Sequence, residues 1–329
     1  MKKIFRAIAA LTLALFVSSA LVAAQGKGKA IPRTSDGRPD MQGYWTNQTF
    51  TPLERPADLK GKEVFTSEEA AAWAKRGLDR LANQDDTVPH YDDVIWMLEG
   101  YPKGAMLRTS IIVDPPDGRI PAMNAEGQKR VQQRAAARKQ QGSAFDSAQN
   151  RGISERCIYW GHQGPPLLPT GYNSNLQIWQ EPGHVVVIPE MMPMARVIPV
   201  DPSTSLGASG RPRLGSAIKQ LQGVSRGQWE GDTFVVETTN VQDRSAFRGA
   251  SENLKVVERF TLVDPDTIRY QFTVEDRTTW DRPWSGEYQM HRIEGPLYEY
   301  ACHEGNYGIV NILNGARREE AAAAAGSTR

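Results

Sequence analysis

Apolar and polar residues alternate along two neighbouring segments in the C-terminal half of the chain, residues 256–263 and 267–275. A period of two is typical of a β-strand that buries one face. The turn at residues 264–266 predicts that the two segments pair as a hairpin. Another hairpin is predicted within residues 224–239, where Gly231-Asp232 separates two strand-like runs.

Glu258 interrupts the alternation in the first of these segments. It falls on the same face as the apolar residues Val256 and Phe260. A carboxylate on an apolar face has to be paired or protonated, because burying an unpaired charge is costly. Glu258 is therefore a candidate functional group. The alternatives are an ion pair with an arginine and a position at a solvated strand end.

Further strand signals occur earlier in the chain. Residues 176–181 and 184–188 flank the turn Pro182-Gly183, residues 195–200 follow them, and residues 109–114 form an earlier strand. Turns recur at a spacing of roughly 8–12 residues, as in all-β barrels and sandwiches. The sequence thus predicts a mainly β fold, built as an antiparallel meandering barrel or a strongly curved sheet.

Two or three peripheral helices are expected around these strands. Thr66 and Glu69 form a capping box that begins a helix over residues 67–82, with apolar residues on one stripe. A second helix is predicted for residues 124–141, and its basic face either contacts an anionic partner or remains solvated. A short helix is predicted for residues 305–318.

The N-terminus has the features of a secretory signal peptide. A basic start precedes an apolar core, and small residues lead to Ala24, after which cleavage is predicted. An uncleaved membrane anchor is the alternative. The predicted organisation is a signal peptide over residues 1–24, a flexible lead over 25–39, a single β-rich domain over 40–318 and a disordered tail over 319–329.

Composition bounds the partners and the compartment. The formal net charge of +1 argues against a nucleic-acid-binding protein. No segment after the signal peptide is apolar for long enough to serve as a stable membrane anchor, so a periplasmic or secreted location is expected. In an oxidising compartment the two cysteines, Cys157 and Cys302, are predicted to form a disulfide bond, with two unpaired thiols as the alternative. The sequence carries no signal for the oligomeric state.

Several longer motifs carry a resemblance to known proteins. They are residues 109–121, 227–233, 251–254, 257–260 and 300–307. In these motifs the chain resembles a group of exported, largely uncharacterised bacterial proteins, which implies export but no catalytic residue. The Gly43-x-Trp45 motif and the strand meander also resemble the opening of lipocalin and calycin barrels, where the tryptophan closes one end. That similarity implies a lipocalin-like β-barrel fold and no particular function.

Candidate catalytic residues are titratable groups near turns, since no standard catalytic motif is present in the sequence. His303 follows Cys302, and a disulfide would hold it rigidly. Imidazole exchanges protons near neutral pH, and a nearby carboxylate orients it. Glu190, within a methionine-rich run, and Glu258 are the candidate carboxylates. We predict that His303 shares a cavity with at least one of them.

Substrate contacts are expected from side chains that bind oxygen atoms and from methionine and tryptophan, which line adaptable apolar surfaces. The candidates are Arg196, Asn240, Arg248, Met191, Met194, Trp280, Trp284 and Asn306. Together the residues predict an exported enzyme that performs His/carboxylate acid–base chemistry on a small, largely apolar molecule. A hydratase or dehydratase (lyase), an isomerase or a cyclase would need no cofactor, and the scattered histidines predict no metal site. The alternative is a non-catalytic periplasmic barrel that binds or carries a small hydrophobic ligand.

Overall fold

Ten strands form one sheet in the computed structural model, which describes residues 30–83, 106–170, 173–192, 194–201, 215, 217–245 and 247–326. The predicted signal peptide lies outside these described residues. The strands are β1 (Gly43–Thr46), β2 (Ile112–Asp114), β3 (Asn175–Glu181), β4 (His184–Pro189), β5 (Arg196–Pro199), β6 (Val224–Glu230), β7 (Thr233–Thr239), β8 (Lys255–Asp264), β9 (Thr267–Glu275) and β10 (Trp284–Ile293).

The sheet curls into a nearly closed barrel. Its strand order is β5-β4-β3-β1-β10-β9-β8-β7-β6, neighbouring strands are antiparallel, and β2 pairs with β10. The two end strands meet at a parallel bridge between Val200 and Gly227, where the Asp201 N–H donates to the Gly227 carbonyl at 2.7 Å. The predicted mainly β barrel is therefore confirmed.

The hairpin of β8 and β9 supplies much of the barrel interior. Phe260 lies opposite Tyr270, and Glu258 lies opposite Phe272, so the alternating residues of both strands share the inner face. Gly286 on β10 makes room for this layer, because a Cβ there would lie 2.3 Å from the Phe272 ring. The inner face is thus packed with side chains, as in small barrels whose interior is a core.

In the described part of the chain, three α-helices lie outside the barrel: α1 (Ser67–Ala82), α2 (Ala125–Gln140) and α3 (Tyr307–Gly326). The capping box that begins α1 is confirmed, since the Thr66 side chain accepts from the Glu69 N–H and the Glu69 carboxylate accepts from the Thr66 N–H. Within the described ranges no helix combines the length and the apolar character needed to cross a membrane.

Two terminal segments contain helical or paired residues that the sequence analysis did not predict. The expected disordered tail is helical as far as Gly326, because its alanine run is a strong helix former. The expected flexible lead is fixed from residue 30 onwards: Arg33 bridges to Pro39 and pairs with Asp232 at 2.7 Å. Local composition did not reveal this partner, which is distant in sequence. The strand expected at residues 109–114 is also shorter, since only β2 is regular.

Candidate functional site

A buried ion pair lies inside the barrel. Glu258 on β8 is 0% exposed and Arg196 on β5 is 4% exposed. The Arg196 guanidinium donates two hydrogen bonds to the Glu258 carboxylate, at 2.6 Å to Oε2 and 3.0 Å to Oε1. Such a bidentate pair is geometrically specific, and it neutralises the charge that interrupts the apolar face of β8. Of the interpretations considered for Glu258, the structure therefore contains the ion pair with an arginine.

Two tyrosine hydroxyls extend this pair to a loop that enters the barrel. The Tyr270 hydroxyl donates to Glu258 Oε1 at 2.8 Å and accepts from the Leu167 N–H at 2.9 Å. The Tyr288 hydroxyl donates to the Leu167 carbonyl at 3.1 Å and accepts from Asn47 Nδ2 at 3.4 Å. A hydroxyl has one proton, so each donation leaves a lone pair for the incoming donor. The network therefore holds both polar groups of the Leu167 backbone.

Burial and charge keep Arg196 and the two tyrosines of this network in fixed protonation states. Burial alone would lower the pKa of Arg196, but Glu258 outweighs that effect and raises it. Burial raises the pKa of Tyr288, and burial together with Glu258 raises the pKa of Tyr270 well above its ordinary value. The arginine is therefore charged and both tyrosines are neutral at pH 7. This arrangement is suited to positioning the loop rather than to exchanging protons.

The loop at residues 157–170 is also fixed by a disulfide bond. Cys157 and Cys302 are joined with an S–S distance of 2.03 Å, which confirms the predicted pairing. Next to the bond, Asn306 Nδ2 donates to the Glu155 carbonyl at 2.8 Å. Further along the loop, Gln163 Nε2 donates to the Met192 carbonyl at 2.6 Å. The loop is therefore tied both to the C-terminal segment and to the segment after β4.

A narrow cleft lies between this loop, β3 and the end of β4. Its free space is about 20 Å³, enough for one water-sized group. Most of its polar walls are amides and hydroxyls, and its apolar walls come from leucines, a proline, a methionine and a tryptophan. The described lining residues are Asn47, Trp160, His162, Gln163, Leu167, Leu168, Thr170, Asn173, Ser174, Asn175, Leu176, Pro189 and Met191.

Glu190 is the buried carboxyl group beside this cleft. It lies between the lining residues Pro189 and Met191 and is 5% exposed. Burial raises its pKa, and the backbone and side chain of Asn175, the side chain of Asn173 and the backbone of Tyr298 oppose that rise only in part. Its Oε2 atom is buried and accepts no hydrogen bond from the part of the chain that the structure describes. An unpartnered buried acceptor of this kind is uncommon in a folded protein.

His162 stands at the mouth of the same cleft. Its ring lies 6.3 Å from that of Trp160, centroid to centroid, and the residue is exposed to solvent. Partial burial lowers the pKa of His162, and the positive charge of Arg248 lowers it further. At neutral pH the imidazole is therefore mainly uncharged and can accept a proton.

The structure brings together only some of the predicted site residues. Arg196 and Glu258 form the buried pair, Met191 lines the cleft beside Glu190, and Arg248 acts on His162. His303 is exposed on the segment that follows β10, whereas Glu258 is fully buried inside the barrel, so these two do not share a cavity. Among the described residues, no hydrogen bond or ion pair joins His303 to Glu190.

The remaining predicted binding residues have packing or capping contacts. Asn240 has a φ of 57° and donates to the carbonyls of Gly215 and Ile218 at 3.1 Å, so it holds a turn. Trp280 and Trp284 form a perpendicular ring pair in the core. Met194 is half-buried and accepts from Gln222 through its carbonyl, and Asn306 lies at the disulfide. None of them is among the described residues that line the cleft.

Sequence reasoning missed His162, Asn47, Asn173 and Asn175 as site residues. A signal for the first existed, because the Gly/Pro-rich segment after Cys157 carries aromatic residues and a histidine among its turns. The asparagines had no such signal, since each lies beside a strand end and is brought to the cleft only by the fold. Within the described ranges, no three His, Cys, Asp or Glu side chains form a group that could hold a metal ion.

The fold and the cleft define a class: an antiparallel β-barrel with a packed interior and a small polar cleft beside a disulfide-tied loop. No family model matches the sequence, and no curated protein or solved structure matches it either.

Proposed function

We propose that this chain is an exported, cofactor-independent enzyme that performs acid–base chemistry on a small molecule at the cleft. Glu190 supplies the carboxyl group, and His162 takes the imidazole role that the sequence suggested for His303. The observation that carries this proposal is the buried Glu190 carboxyl, whose Oε2 atom lacks a hydrogen-bond partner among the described residues and lies beside a cleft with a histidine at its mouth. Strongly perturbed titratable groups in clefts are candidate functional groups.

The Glu190 carboxyl and the His162 imidazole have pKa values that are shifted in opposite directions. Burial raises the pKa of Glu190 and lowers the pKa of His162. A carboxyl with a raised pKa can donate a proton at a pH where an ordinary carboxyl is already ionised, and a neutral imidazole can accept one. Hydration, dehydration and isomerisation require only such proton transfers. The reaction classes expected from the sequence therefore stay open for this pair.

Size limits how a substrate enters. The free space of about 20 Å³ admits one functional group, so the rest of a substrate stays near the surface, against the half-buried Trp160. Arg248 is exposed close to His162 and is suited to binding a carboxylate or carbonyl oxygen of the substrate. The Arg196–Glu258 pair and the tyrosines act as positioning residues, because they hold the loop that forms one wall.

Export is part of the same proposal. The N-terminal sequence has the pattern of a signal peptide, and the disulfide bond is of the kind that persists in oxidising compartments. A periplasmic or secreted location and a lipocalin-like relationship of the barrel are thus proposed. The packed interior leaves the cleft, rather than the centre of the barrel, as the proposed site.

The test uses Glu190→Gln, which preserves shape and removes the titratable group. A panel of small α,β-unsaturated acids and β-hydroxy acids is incubated with the protein in D₂O, and proton NMR follows hydration, dehydration and carbon-bound deuterium incorporation. We expect kcat/KM to fall by about 10²–10⁴-fold in Glu190→Gln and in His162→Gln, the range typical of general acid–base groups. The control is Glu181→Gln, an exposed glutamate at the end of β3. Full activity in Glu190→Gln would refute the proposal.

A binding protein without turnover is the second candidate. The water-sized free space and the exposed position of His303 favour it. On this alternative, a panel compound binds equally to the wild type and to Glu190→Gln, and neither protein incorporates deuterium into it.

A further inference from the structure

We infer that the cleft selects a ligand group that donates hydrogen bonds, a hydroxyl or an amino group, and that Asn47 is the residue that recognises it. The inference deepens the proposed function because it names the chemistry that the same cleft accepts. It concerns binding, so it can be tested separately from turnover.

The orientation of the Asn47 side chain follows from its neighbours. The single proton of the Tyr288 hydroxyl is donated to the Leu167 carbonyl, so this hydroxyl can only accept from Asn47. Asn47 must therefore direct its Nδ2 group to Tyr288, at 3.4 Å. The Asn47 amide oxygen, Oδ1, then points away from the Tyr288 hydroxyl. The network inside the barrel thus decides which end of the amide is left for a ligand.

The amide oxygen of Asn47 has no partner. Asn47 is 5% exposed and lines the cleft, and its Oδ1 atom accepts no hydrogen bond from the described residues. Glu190 Oε2, beside the same cleft, is another buried acceptor without a partner among the described residues. Buried acceptors without a donor are costly and rare in native proteins, so each calls for an explanation such as a ligand or an ordered water.

The rest of the lining restricts the ligand further. The described residues that line the cleft include no lysine or arginine, so a carboxylate or phosphate that entered it would find no cation there. Two acceptors and a space of about 20 Å³ fit one heavy atom that carries hydrogen, such as a hydroxyl oxygen or an amino nitrogen. The Trp160 ring at the mouth is suited to contact an apolar or aromatic remainder.

Three matched probes test this chemistry: benzyl alcohol, benzylamine and ethylbenzene. The dissociation constant of each is measured by ligand-observed NMR titration of the full chain with its disulfide intact. We expect at least one donor-bearing probe to bind about ten-fold more tightly than ethylbenzene, because the methyl group of ethylbenzene fills similar space without a proton to donate. This preference should disappear in Asn47→Leu and persist in Asn311→Leu, whose asparagine is exposed on α3.

Two further variants keep the test decisive. Tyr288→Phe frees the Asn47 amide to rotate, so the preference for donors over ethylbenzene should shrink several-fold even where Asn47→Leu does not fold. Glu190→Gln separates the two donor classes. If the preferred ligand group is a cationic amine, this variant should weaken benzylamine binding more than benzyl alcohol binding. If the preferred group is a neutral hydroxyl, benzyl alcohol should remain bound.

Equal binding of all three probes to the wild type would overturn the inference, since the two acceptors would then hold a water only. A donor preference without any turnover would reject the proposed function and keep this inference. Turnover with no donor preference would reject this inference and keep the proposed function.

Discussion

The most direct test of the barrel interior is the removal of the Glu258 charge. Glu258 accepts two hydrogen bonds from Arg196, at 2.6 and 3.0 Å, and one from Tyr270, at 2.8 Å. Glu258→Gln keeps the volume of the side chain but leaves the Arg196 guanidinium, which is 4% exposed, without a counter-charge. Breaking a buried pair in this way costs about 3–5 kcal/mol, because the remaining charge stays in a poorly solvating interior.

The magnitude is set by the unpaired charge rather than by lost contacts. Replacing both partners, in Arg196→Met/Glu258→Leu, removes the charges together and is often close to neutral in a protein core. Here the double variant also deprives the Tyr270 hydroxyl of its acceptor, which adds roughly 1–3 kcal/mol. We therefore expect the double variant to be less destabilised than Glu258→Gln alone, although it changes more atoms.

Urea unfolding followed by tryptophan fluorescence measures these differences at constant slope. The matched control is Glu230→Gln, which breaks an exposed pair with Arg259 at 2.5 Å and should cost less than about 1 kcal/mol. The reasoning is refuted if Glu258→Gln is no more destabilising than Glu230→Gln. It also fails if the double variant costs as much as the sum of Glu258→Gln and Arg196→Met, since the two residues would then be uncoupled.

Two further predictions concern stability. Replacing both cysteines by serine opens a loop with a sequence separation of 145 and should lower the free energy of unfolding by roughly 5 kcal/mol on the chain-entropy account, as measured by denaturant titration; a variant as stable as the wild type would contradict this. For Asp276, burial alone would raise the pKa, but hydrogen bonds from Thr279, Ser251 and Thr278 outweigh burial and lower it. Its contribution is therefore present above the unfolded-state pKa near 4 and is lost as pH falls through the lower folded-state pKa. Asp276→Asn should therefore be less stable than the wild type at pH 7 and should lose less stability as the pH is lowered. If the free energies of unfolding of variant and wild type fall in parallel between pH 7 and 2.5, this reasoning is wrong.

Features that depend on neighbouring residues could be predicted from the sequence. The alternation along β8 and β9 predicted a hairpin with Phe260 and Tyr270 on one face, and the two residues lie opposite each other in the structure. The capping box fixed the start of α1 at Ser67, because its hydrogen bonds span only three residues. The disulfide was predictable because a chain with two cysteines has one intramolecular pairing.

The environment of Glu258 shows what the sequence determined only in part. Its position on an apolar face predicted either a functional group or a paired charge, since period and polarity are readable along one strand. Its partner Arg196 lies 62 residues away, and Tyr270 is bonded to a backbone group 103 residues away. These contacts depend on the strand order and on the loop that enters the barrel. The sequence states neither.

The candidate site itself was decided by the tertiary structure. His303 was expected to be catalytic because it follows Cys302, but the disulfide lies on a segment outside the barrel and leaves His303 exposed. Asn47, His162 and Glu190 come from the end of β1, the loop and the end of β4, which are brought together by the strand order β1-β3-β4 and by the path of the loop. Local periodicity sets which face of a strand a residue occupies, whereas the convergence of polar groups depends on the path of the whole chain.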